Sequence, residues 1–305
     1  KFPGKVIIGY VTWPGYLGLY LARDKGYFTA NGVDVELRLY QDILVAQKDY
    51  ASGTIHGIIN VPLATVGGIS GTDNTIAQKI ILATDYSNGA DGIIAKSSIK
   101  TMNQLKGKKV AFQKNTIEEA FAKYALGQYN MTLADVVPVD LDPIKAAEAL
   151  GKGQVDAATT YEPFISMTAK QINGNILYTS ANAPGLITDI VTFRSDFIDT
   201  YPDSVAAIVK AYFEGVDFWK QHPQEANALI AKELGSTPAD TESQLQTIKI
   251  LDQHDNEVAF TYASGLQSLY GNLKQMSQLG SGNEQQGNRD TDQIIDPRFI
   301  KNLSQ

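Results

Sequence analysis

Short apolar runs alternate with helical stretches along the first part of the chain, and this alternation constrains the fold more than any other feature. Residues 6–10 (VIIGY) form a run of strand type, and the helical stretch 18–25 ends at Gly26, which suits a helix C-terminus. In residues 33–39 apolar and charged side chains alternate, as in a strand with one face in water. The pattern predicts an α/β fold with a mainly parallel sheet and a ligand site beyond the carboxyl ends of its strands.

The same alternation starts again after residues 92–95 (GIIA), so the sequence predicts a second α/β unit. Residues 109–112 are predicted to form a strand, residues 116–129 a helix, and Pro143 the first residue of a further helix. From Ser204 onward the pattern turns largely helical. A chain of 305 residues also has the length of two ordinary domains.

The chain is predicted to cross twice between these units. We expect it to leave a first lobe near residues 87–91 and to return near Asp189. Lobe I then comprises residues 1–88 and 193–305, and lobe II comprises residues 89–192. The expected architecture is a two-lobed α/β fold with a helical C-terminal segment on lobe I. Two crossings make a hinge, and the cleft between hinged lobes is a common ligand site.

The composition argues against several classes of function. A formal net charge of -7 disfavours nucleic acid or an anionic membrane surface as the partner. No run approaches the ~18 apolar residues of a membrane span. Residues 1–3 carry no secretory segment, so if the protein is exported we expect its signal to have been removed. The chain has no cysteine, which excludes disulfides and thiolate metal sites. Its histidines are widely spaced, so neither a metal nor a cofactor is expected.

Five short motifs follow one another through residues 13–164. They are residues 13–16 (WPGY), 22–33 (ARDKGYFTANGV), 105–110 (LKGKKV), 146–157 (AAEALGKGQVDA) and 161–164 (YEPF). In this order they resemble the periplasmic solute-binding proteins of ABC importers for taurine, aliphatic sulfonates and nitrate, although Gln104 stands where that family usually has Asp.

The resemblance implies the type II periplasmic-binding-protein fold and a non-catalytic role. It also implies that the protein delivers a captured small molecule to an ABC permease and its ATPase. We expect a monomer in the periplasm or another extracytoplasmic location, with a lipoprotein anchor in the full-length form as an open alternative.

Candidate ligand-binding side chains of the first lobe follow its strands. Trp13 and Tyr16 lie in the loop after the first strand, where they either pack over the sheet edge or offer aromatic rings to a ligand. Asn60 stands at the end of a strand and is a further candidate hydrogen-bonding residue.

The segment 85–91 (DYSNGAD) carries the most informative candidates. Asp85, Ser87 and Asp91 lie where the chain is expected to cross between lobes, and Asp189 lies at the return crossing. They are predicted to face the cleft. The alternative is a turn whose side chains satisfy only their own backbone.

Three candidates belong to the second lobe. Thr116 opens a predicted helix, so it is either a plain N-cap or a cap that also contacts the ligand. Tyr161 and Glu162 follow a strand end and are predicted to face the cleft. For Glu162 the alternative is a structural role at a helix start, where a carboxylate is favourable anyway.

The charges of these candidates favour a cationic ligand. Asp85, Asp91, Glu162 and Asp189 in a closed pocket would repel an anion. No arginine falls in a predicted ligand loop; the arginines are Arg23, Arg38, Arg194, Arg289 and Arg298. The crossing segment also resembles a subgroup linked to urea-type nitrogen metabolism. Guanidine is therefore the specific candidate, because its planar fork of donors suits carboxylates and a stacking aromatic ring.

Two other functions remain as alternatives. The first is a receptor for taurine, aliphatic sulfonate or nitrate. The second is an enzyme like the thiamine-pyrimidine synthases, which share this fold. The resemblance to those enzymes implies a histidine and a cysteine-rich segment, and the absence of cysteine here disfavours that reading.

Overall fold

A computed structural model of the chain describes residues 1–66, 76–280 and 291–304, and it shows two β-sheets connected by two crossings. The first part of the chain alternates strands and helices, as predicted. Its elements are β1 (Lys5–Tyr10), α1 (Leu17–Asp24), α2 (Tyr27–Ala30), β2 (Asp34–Leu39), α3 (Ile43–Ala51), β3 (Gly57–Asn60), α4 (Pro62–Thr65) and β4 (Gln78–Ser87).

The middle of the chain builds the second sheet and its helices. Its elements are β5 (Asp91–Ala95), β6 (Lys109–Phe112), α5 (Ile117–Gly127), β7 (Val137–Asp140), α6 (Pro143–Gly151), β8 (Ala157–Tyr161), α7 (Phe164–Ile172) and β9 (Asn175–Thr179). The helix predicted to open at Pro143 begins there, with the Asp142 side chain capping it through the Lys145 amide.

The last part returns to the first sheet and is mainly helical. Its elements are β10 (Thr188–Arg194), α8 (Ser195–Thr200), α9 (Pro202–Gln221), α10 (Pro223–Leu234), α11 (Pro238–Leu245), β11 (Ile248–Ile250), α12 (Gln253–Ala259), α13 (Leu269–Leu279) and α14 (Arg298–Lys301). Helix α9 packs against α1, and Gly215 permits their close approach, since an added Cβ there would lie 2.2 Å from the Gly18 carbonyl oxygen.

Both sheets are mixed, so the prediction of a mainly parallel sheet is wrong. The strand orders are β11-β4-β10-β3-β1-β2 and β7-β6-β8-β5-β9. β1 pairs in parallel with β2 and β3, and β6 with β7 and β8. β10 runs antiparallel to β3 and β4, and β5 antiparallel to β8 and β9. The reason is that β5 and β10 each start at a crossing, so they run away from the edge where β1, β3, β6 and β8 end.

The two crossings are hydrogen-bonded to each other. The first connects β4 to β5, and the second connects β9 to β10. The hydroxyls of Ser87 and Ser180 are 2.7 Å apart, and the Gly89 amide donates to Ser180 Oγ at 2.7 Å. Of the predicted lobe boundaries, the one after residue 88 falls in the first crossing and the one after residue 192 falls inside β10. The residue bounds of the lobes stay a prediction.

Each sheet has its own hydrophobic core. The first core contains β1, β4 and β10 with α1 and α9, and the second contains β6 with α5 and the return crossing. Among the described residues, no helix is long and apolar enough to cross a membrane.

Candidate ligand-binding site

The larger cavity between the two sheets has a volume of about 480 Å³. One side is formed by residues at the ends of β1, β3 and α3, and the other by the loop from Gln113 to Glu118 at the start of α5. Four of the predicted residues line it: Tyr16, Asn60, Thr116 and Asp189. Asn60 lies at the end of β3 and Thr116 in the loop after β6, as expected for ligand loops after strands, whereas Asp189 lies near the start of the antiparallel β10.

A second, smaller cavity has a volume of about 210 Å³. Trp13, Tyr161 and Glu162 line it together with Gln244 and Thr247 from the C-terminal part of the chain. Of the predicted site residues, four line the larger cavity and three line the smaller one, whereas Asp85, Ser87 and Asp91 are in the lining of neither.

Asp85 and Asp189 form a buried carboxyl pair beside the larger cavity. The two residues are partners in the register of β4 and β10; Asp85 is fully buried and Asp189 is 8% exposed. Trp13 Nε1 and Thr84 Oγ1 donate to Asp85 at 3.0 and 2.8 Å. The Tyr16 hydroxyl donates to Asp189 at 3.3 Å. Asp189 lines the cavity, so it is the member of the pair that a ligand can reach.

Burial is the main cause of a raised pKa at both carboxyl groups of this pair. The pKa of Asp189 lies well above its usual range, because burial and then the Asp85 carboxylate both disfavour its charged form. Burial also raises the pKa of Asp85, although hydrogen bonds from Trp13 and Thr84 oppose the shift. Both shifts favour the protonated form of this pair in the folded protein.

The short 3-10 helix Pro14–Tyr16 covers Asp85. A Cβ added at Gly15 would lie 2.3 Å from Asp85 Cγ, closer than any real contact allows. Glycine at this position therefore lets the backbone lie against the carboxyl group. The cover keeps Asp85 dry, which is what raises its pKa.

A second group of acidic side chains belongs to the other sheet: Glu118 lines the larger cavity, and Asp91 interacts with Glu118 through charge. Asp91 on β5 is the register partner of Tyr161 on β8. Burial raises the pKa of Asp91 to about 7, and the charge of Glu118 adds to the shift. Burial likewise raises the pKa of Glu118, which accepts a hydrogen bond from the Thr116 hydroxyl. These groups give the second sheet a negative contribution to the site.

The net charge of the larger cavity is negative. Its lining includes Asp42, Glu118, Asp140 and Asp189, and among the described residues that line it Lys114 is the only one with a cationic side chain. Within residues 1–66, 76–280 and 291–304, no group of acidic or histidine side chains is arranged to hold a metal ion. The arrangement suits hydrogen-bond donors and positive charge on a small solute.

The family described as "NMT1/THI5 like" matches residues 13–226 of this chain. The protein belongs to the NMT1/THI5-like family. A putative binding protein of Brucella abortus is 25% identical over 239 residues, which cover 77% of this chain and 73% of that protein. A putative aliphatic sulfonates-binding protein of Bacillus subtilis is 31% identical over 144 residues, 47% of this chain and 43% of that protein. The taurine-binding periplasmic protein of Escherichia coli is 23% identical over 220 residues, which cover 68% of this chain and 66% of that protein.

Solved structures similar to this NMT1/THI5-like protein confirm the predicted periplasmic-binding-protein fold. The periplasmic aliphatic sulphonate binding protein SsuA from Escherichia coli has a TM-score of 0.73 at 20% identity, covering 91% of this chain and 87% of that one. The periplasmic nitrate-binding protein NrtA from Synechocystis PCC 6803 has a TM-score of 0.73 at 16% identity, covering 98% of this chain and 88% of that one. The desulfurization enzyme DszB has a TM-score of 0.61 at 15% identity, covering 97% of this chain and 98% of that one.

Two predicted site residues of this NMT1/THI5-like protein make contacts of a structural kind. The Glu162 carboxylate accepts from Ser166 N at 3.1 Å and from Ser166 Oγ at 2.7 Å, so it caps the start of α7. Ser87 is buried in the crossing and hydrogen-bonds to Ser180. The contacts of Glu162 match its structural alternative, whereas Ser87 bonds both to the amide of Asp91 in its own turn and to the other crossing.

The Thr116 hydroxyl donates to the Gln113 carbonyl at 2.7 Å and does not cap α5. The backbone amides at the start of α5 thus have no side-chain cap, although Thr116 lines the cavity.

Sequence reasoning missed Glu118 and Asp42. Both lie at the start of a helix that follows a strand of the cleft edge, where an acidic side chain is also favourable for the helix itself. Asp42 is the N-cap of α3 and accepts from Leu44 N at 2.8 Å. Their position after a strand end was the signal that could have identified them.

Proposed function

We propose that this protein is the extracytoplasmic solute receptor of an ABC importer, and that it captures one small polar molecule by closure of two lobes. Residues 1–88 and 193–305 form the first lobe in this proposal, and residues 89–192 form the second. The support is a cavity lined from both sheets, together with relatives named as periplasmic or binding proteins. A bound ligand then shifts the population toward the closed form by its differential affinity.

The receptor would act as a monomer and deliver its ligand to an ABC permease and ATPase. A binding role rather than catalysis is supported by the relatives, which are named for sulfonate, taurine and nitrate binding. An extracytoplasmic location follows from the same names. A lipoprotein anchor in the full-length form stays an expectation from the sequence.

The proposed ligand is a small planar nitrogen cation such as guanidine. One observation carries this choice: Asp189, backed by the buried Asp85, faces a cavity whose other wall contains Glu118. A planar cation with several N–H donors can bind two carboxylate oxygens at once and stack on an aromatic ring. A guanidinium ion stays protonated throughout the range in which these carboxyl groups titrate.

The second candidate is an anionic or zwitterionic ligand, such as taurine, a sulfonate or nitrate. The names of the relatives favour it. In the site it is favoured by Lys114 and by the amides at the start of α5, which have no side-chain cap. Helix N-termini of this kind attract anions.

A calorimetric and thermal-shift comparison distinguishes these ligands. The purified chain is titrated at pH 7 with guanidinium, urea, methylammonium, taurine, nitrate and methanesulfonate, all at or below roughly 10 mM so that guanidinium does not denature the protein. A true ligand at 100 times its Kd stabilises the native state by about 2.7 kcal/mol. Stabilisation by guanidinium and not by sodium chloride supports the cation; stabilisation by taurine alone overturns it. If none of these solutes binds, the solute-receptor proposal itself loses its support.

Asp91 provides a test of the site by mutation. Asp91→Asn keeps the shape of the side chain and removes its charge, so we expect it to weaken binding of a cationic ligand by at least about tenfold, or about 1.4 kcal/mol. The matched control is Asp199→Asn, which changes an exposed aspartate near the C-terminal end of α8. Unchanged affinity in Asp91→Asn removes this residue from the site.

A further inference from the structure

Helix α13 lies across the boundary between the two hydrophobic cores. Leu269 and Leu273, in the first part of the helix, are buried in the core of the first sheet. Met276, one turn later, is buried in the core of the second sheet, where α5 contributes Phe121. A single rigid helix therefore takes part in the packing of both halves of the molecule.

The middle of α13 is fixed to the return crossing. Asn272 is fully buried, and its Nδ2 donates to the carbonyl oxygens of Gly185 at 2.6 Å and Leu186 at 3.0 Å. Both acceptors belong to the segment between β9 and β10, which is one of the two crossings. The helix is thus held at the hinge, with its C-terminal end pointing away from it.

The C-terminal end of α13 is bonded to α5 on the second sheet. Lys123 Nζ donates to the Leu279 carbonyl oxygen at 3.1 Å and forms an ion pair with Glu119 at 3.0 Å. Glu119 in turn accepts a hydrogen bond from the amide of Asn115 at 2.5 Å, and Asn115 lines the larger cavity. A continuous set of polar contacts therefore connects α13 to the loop that forms one wall of the ligand cavity.

We propose that α13 is a strap between the two lobes, whose contacts with α5 through Lys123 and Met276 favour the closed arrangement before ligand binds. The inference rests on the proposed capture by closure. When the lobes part about the crossings, the end of α13 that is farthest from Asn272 separates most from α5. The bond between Lys123 and Leu279 and the burial of Met276 are then lost.

The strap sets the apparent affinity for the ligand. Only the closed form holds the ligand between both walls, so the apparent Kd equals the intrinsic Kd divided by the closed fraction. Lys123 and Glu119 are positioning residues in this scheme, because they act on the ligand through Asn115 and through the closed population.

The test compares Lys123→Met with Lys152→Met. Both lysines form an i,i+4 ion pair with a glutamate, at 3.0 Å for Lys123 and 3.3 Å for Lys152, but only Lys123 also bonds to another helix. Methionine keeps most of the aliphatic length and removes the charge. Met276→Ala and Met276→Leu form a second pair, in which leucine preserves most of the buried volume.

Lobe separation is measured on the empty protein. Because the chain has no cysteine, Lys48→Cys on α3 and Lys170→Cys on α7 accept spin labels at two defined exposed positions. Electron-electron resonance then reports the distribution of distances between the labels. We expect Lys123→Met and Met276→Ala to move this distribution to longer distances, while Lys152→Met and Met276→Leu leave it unchanged. Distributions for Lys123→Met and Met276→Ala that coincide with those of their controls overturn the strap.

Ligand binding provides the second readout. Guanidinium titrated into Lys123→Met should bind about threefold to fivefold more weakly than to Lys152→Met, since the closed fraction falls. If guanidinium binds neither variant while the distance distributions differ, the ligand proposal fails and the strap stands. If guanidinium binds both variants equally and the distributions agree, the strap fails and the ligand proposal stands.

Discussion

Asp85 and Asp189 are register partners on β4 and β10, both are buried, and the charge of the Asp85 carboxylate helps to raise the pKa of Asp189. The groups around them are uncharged hydrogen-bond donors and further acids: Trp13, Tyr16, Thr84, Tyr212 and Asp91. No lysine or arginine of the described residues forms an ion pair with either carboxyl group. These surroundings favour the protonated form of the pair, and we expect a positively charged ligand to oppose that preference.

Ligand affinity should therefore depend on pH, with a sign that reports the charge of the ligand. A cation lowers the pKa of Asp189 and Asp91, so it binds with release of protons and its affinity rises with pH by up to about tenfold per unit between roughly pH 5 and 8. An anion raises these pKa values, so it binds with uptake of protons and its affinity falls as the pH rises. Calorimetry at several pH values, in two buffers of different ionisation enthalpy, counts the protons. Guanidinium affinity that is constant over this range contradicts the role of the acidic pair.

The empty protein should lose stability as the pH rises toward neutrality. The pKa of Asp91 is about 7 in the folded protein, whereas the ordinary pKa of an aspartate is 3.8. Between these two pH values the native state therefore binds more protons than the unfolded state. The contribution of Asp91 to stability is then greatest below pH 3.8 and is lost as the pH rises through about 7. We expect Asp91→Asn to raise the free energy of unfolding at pH 7.5 by about 1–2 kcal/mol and to have little effect at pH 4. Urea denaturation at both pH values measures this, with Asp199→Asn as the control.

Gly15→Ala should damage both stability and binding. The added Cβ would lie 2.3 Å from Asp85 Cγ, so the turn over the carboxyl pair must move. We expect a loss of about 1–3 kcal/mol in the free energy of unfolding and weaker ligand binding. Gly127→Ala in α5 is the matched control, because no atom lies within 4 Å of its added Cβ and alanine favours a helix. A Gly15→Ala variant as stable as the wild type would show that Asp85 is not covered in this way.

Trp13→Phe should shift the pH profile of guanidinium binding toward higher pH. It removes the Nε1 hydrogen bond that stabilises the charged form of Asp85, so the pKa of that carboxyl group rises further. Affinity for guanidinium at pH 7 should fall by about threefold to tenfold and recover partly at pH 8. Trp219→Phe provides the control, since its Nε1 donates to Asn227 at a similar distance of 3.1 Å far from the site. An equal loss at both pH values would assign Trp13 a packing role alone.

Much of the fold could be predicted because local signals and the final packing agree. The apolar run of β1, the alternating pattern of β2, the proline that opens α6 and the helical pattern after Ser204 all appear in the structure where the sequence places them. The direction of β10 could not be predicted in this way. Strand direction depends on which sheet edge the chain reaches after a crossing, and no local pattern encodes that.

The lining of the larger cavity has the same mixed origin. Asn60 ends β3 and Thr116 lies in the loop after β6, as local patterns indicate, but Asp189 reaches the cavity from the start of β10. Glu162 looked equivalent by position, yet its carboxylate bonds to Ser166 one turn ahead. Side-chain direction after a strand end depends on local geometry that residue types alone do not fix.

The sequence by itself determined the alternation of strands and helices, the absence of thiol chemistry and the acidic character of the segments at the crossings, since these depend only on residue type and spacing. Only the tertiary structure decided that Asp85 and Asp189, 104 positions apart in the sequence, face each other, that Glu118 joins the cavity, and that α13 packs in both cores. Such relations between distant residues arise from long-range strand pairing and burial, which raise the pKa of a carboxyl group only when the assembled protein excludes water from it.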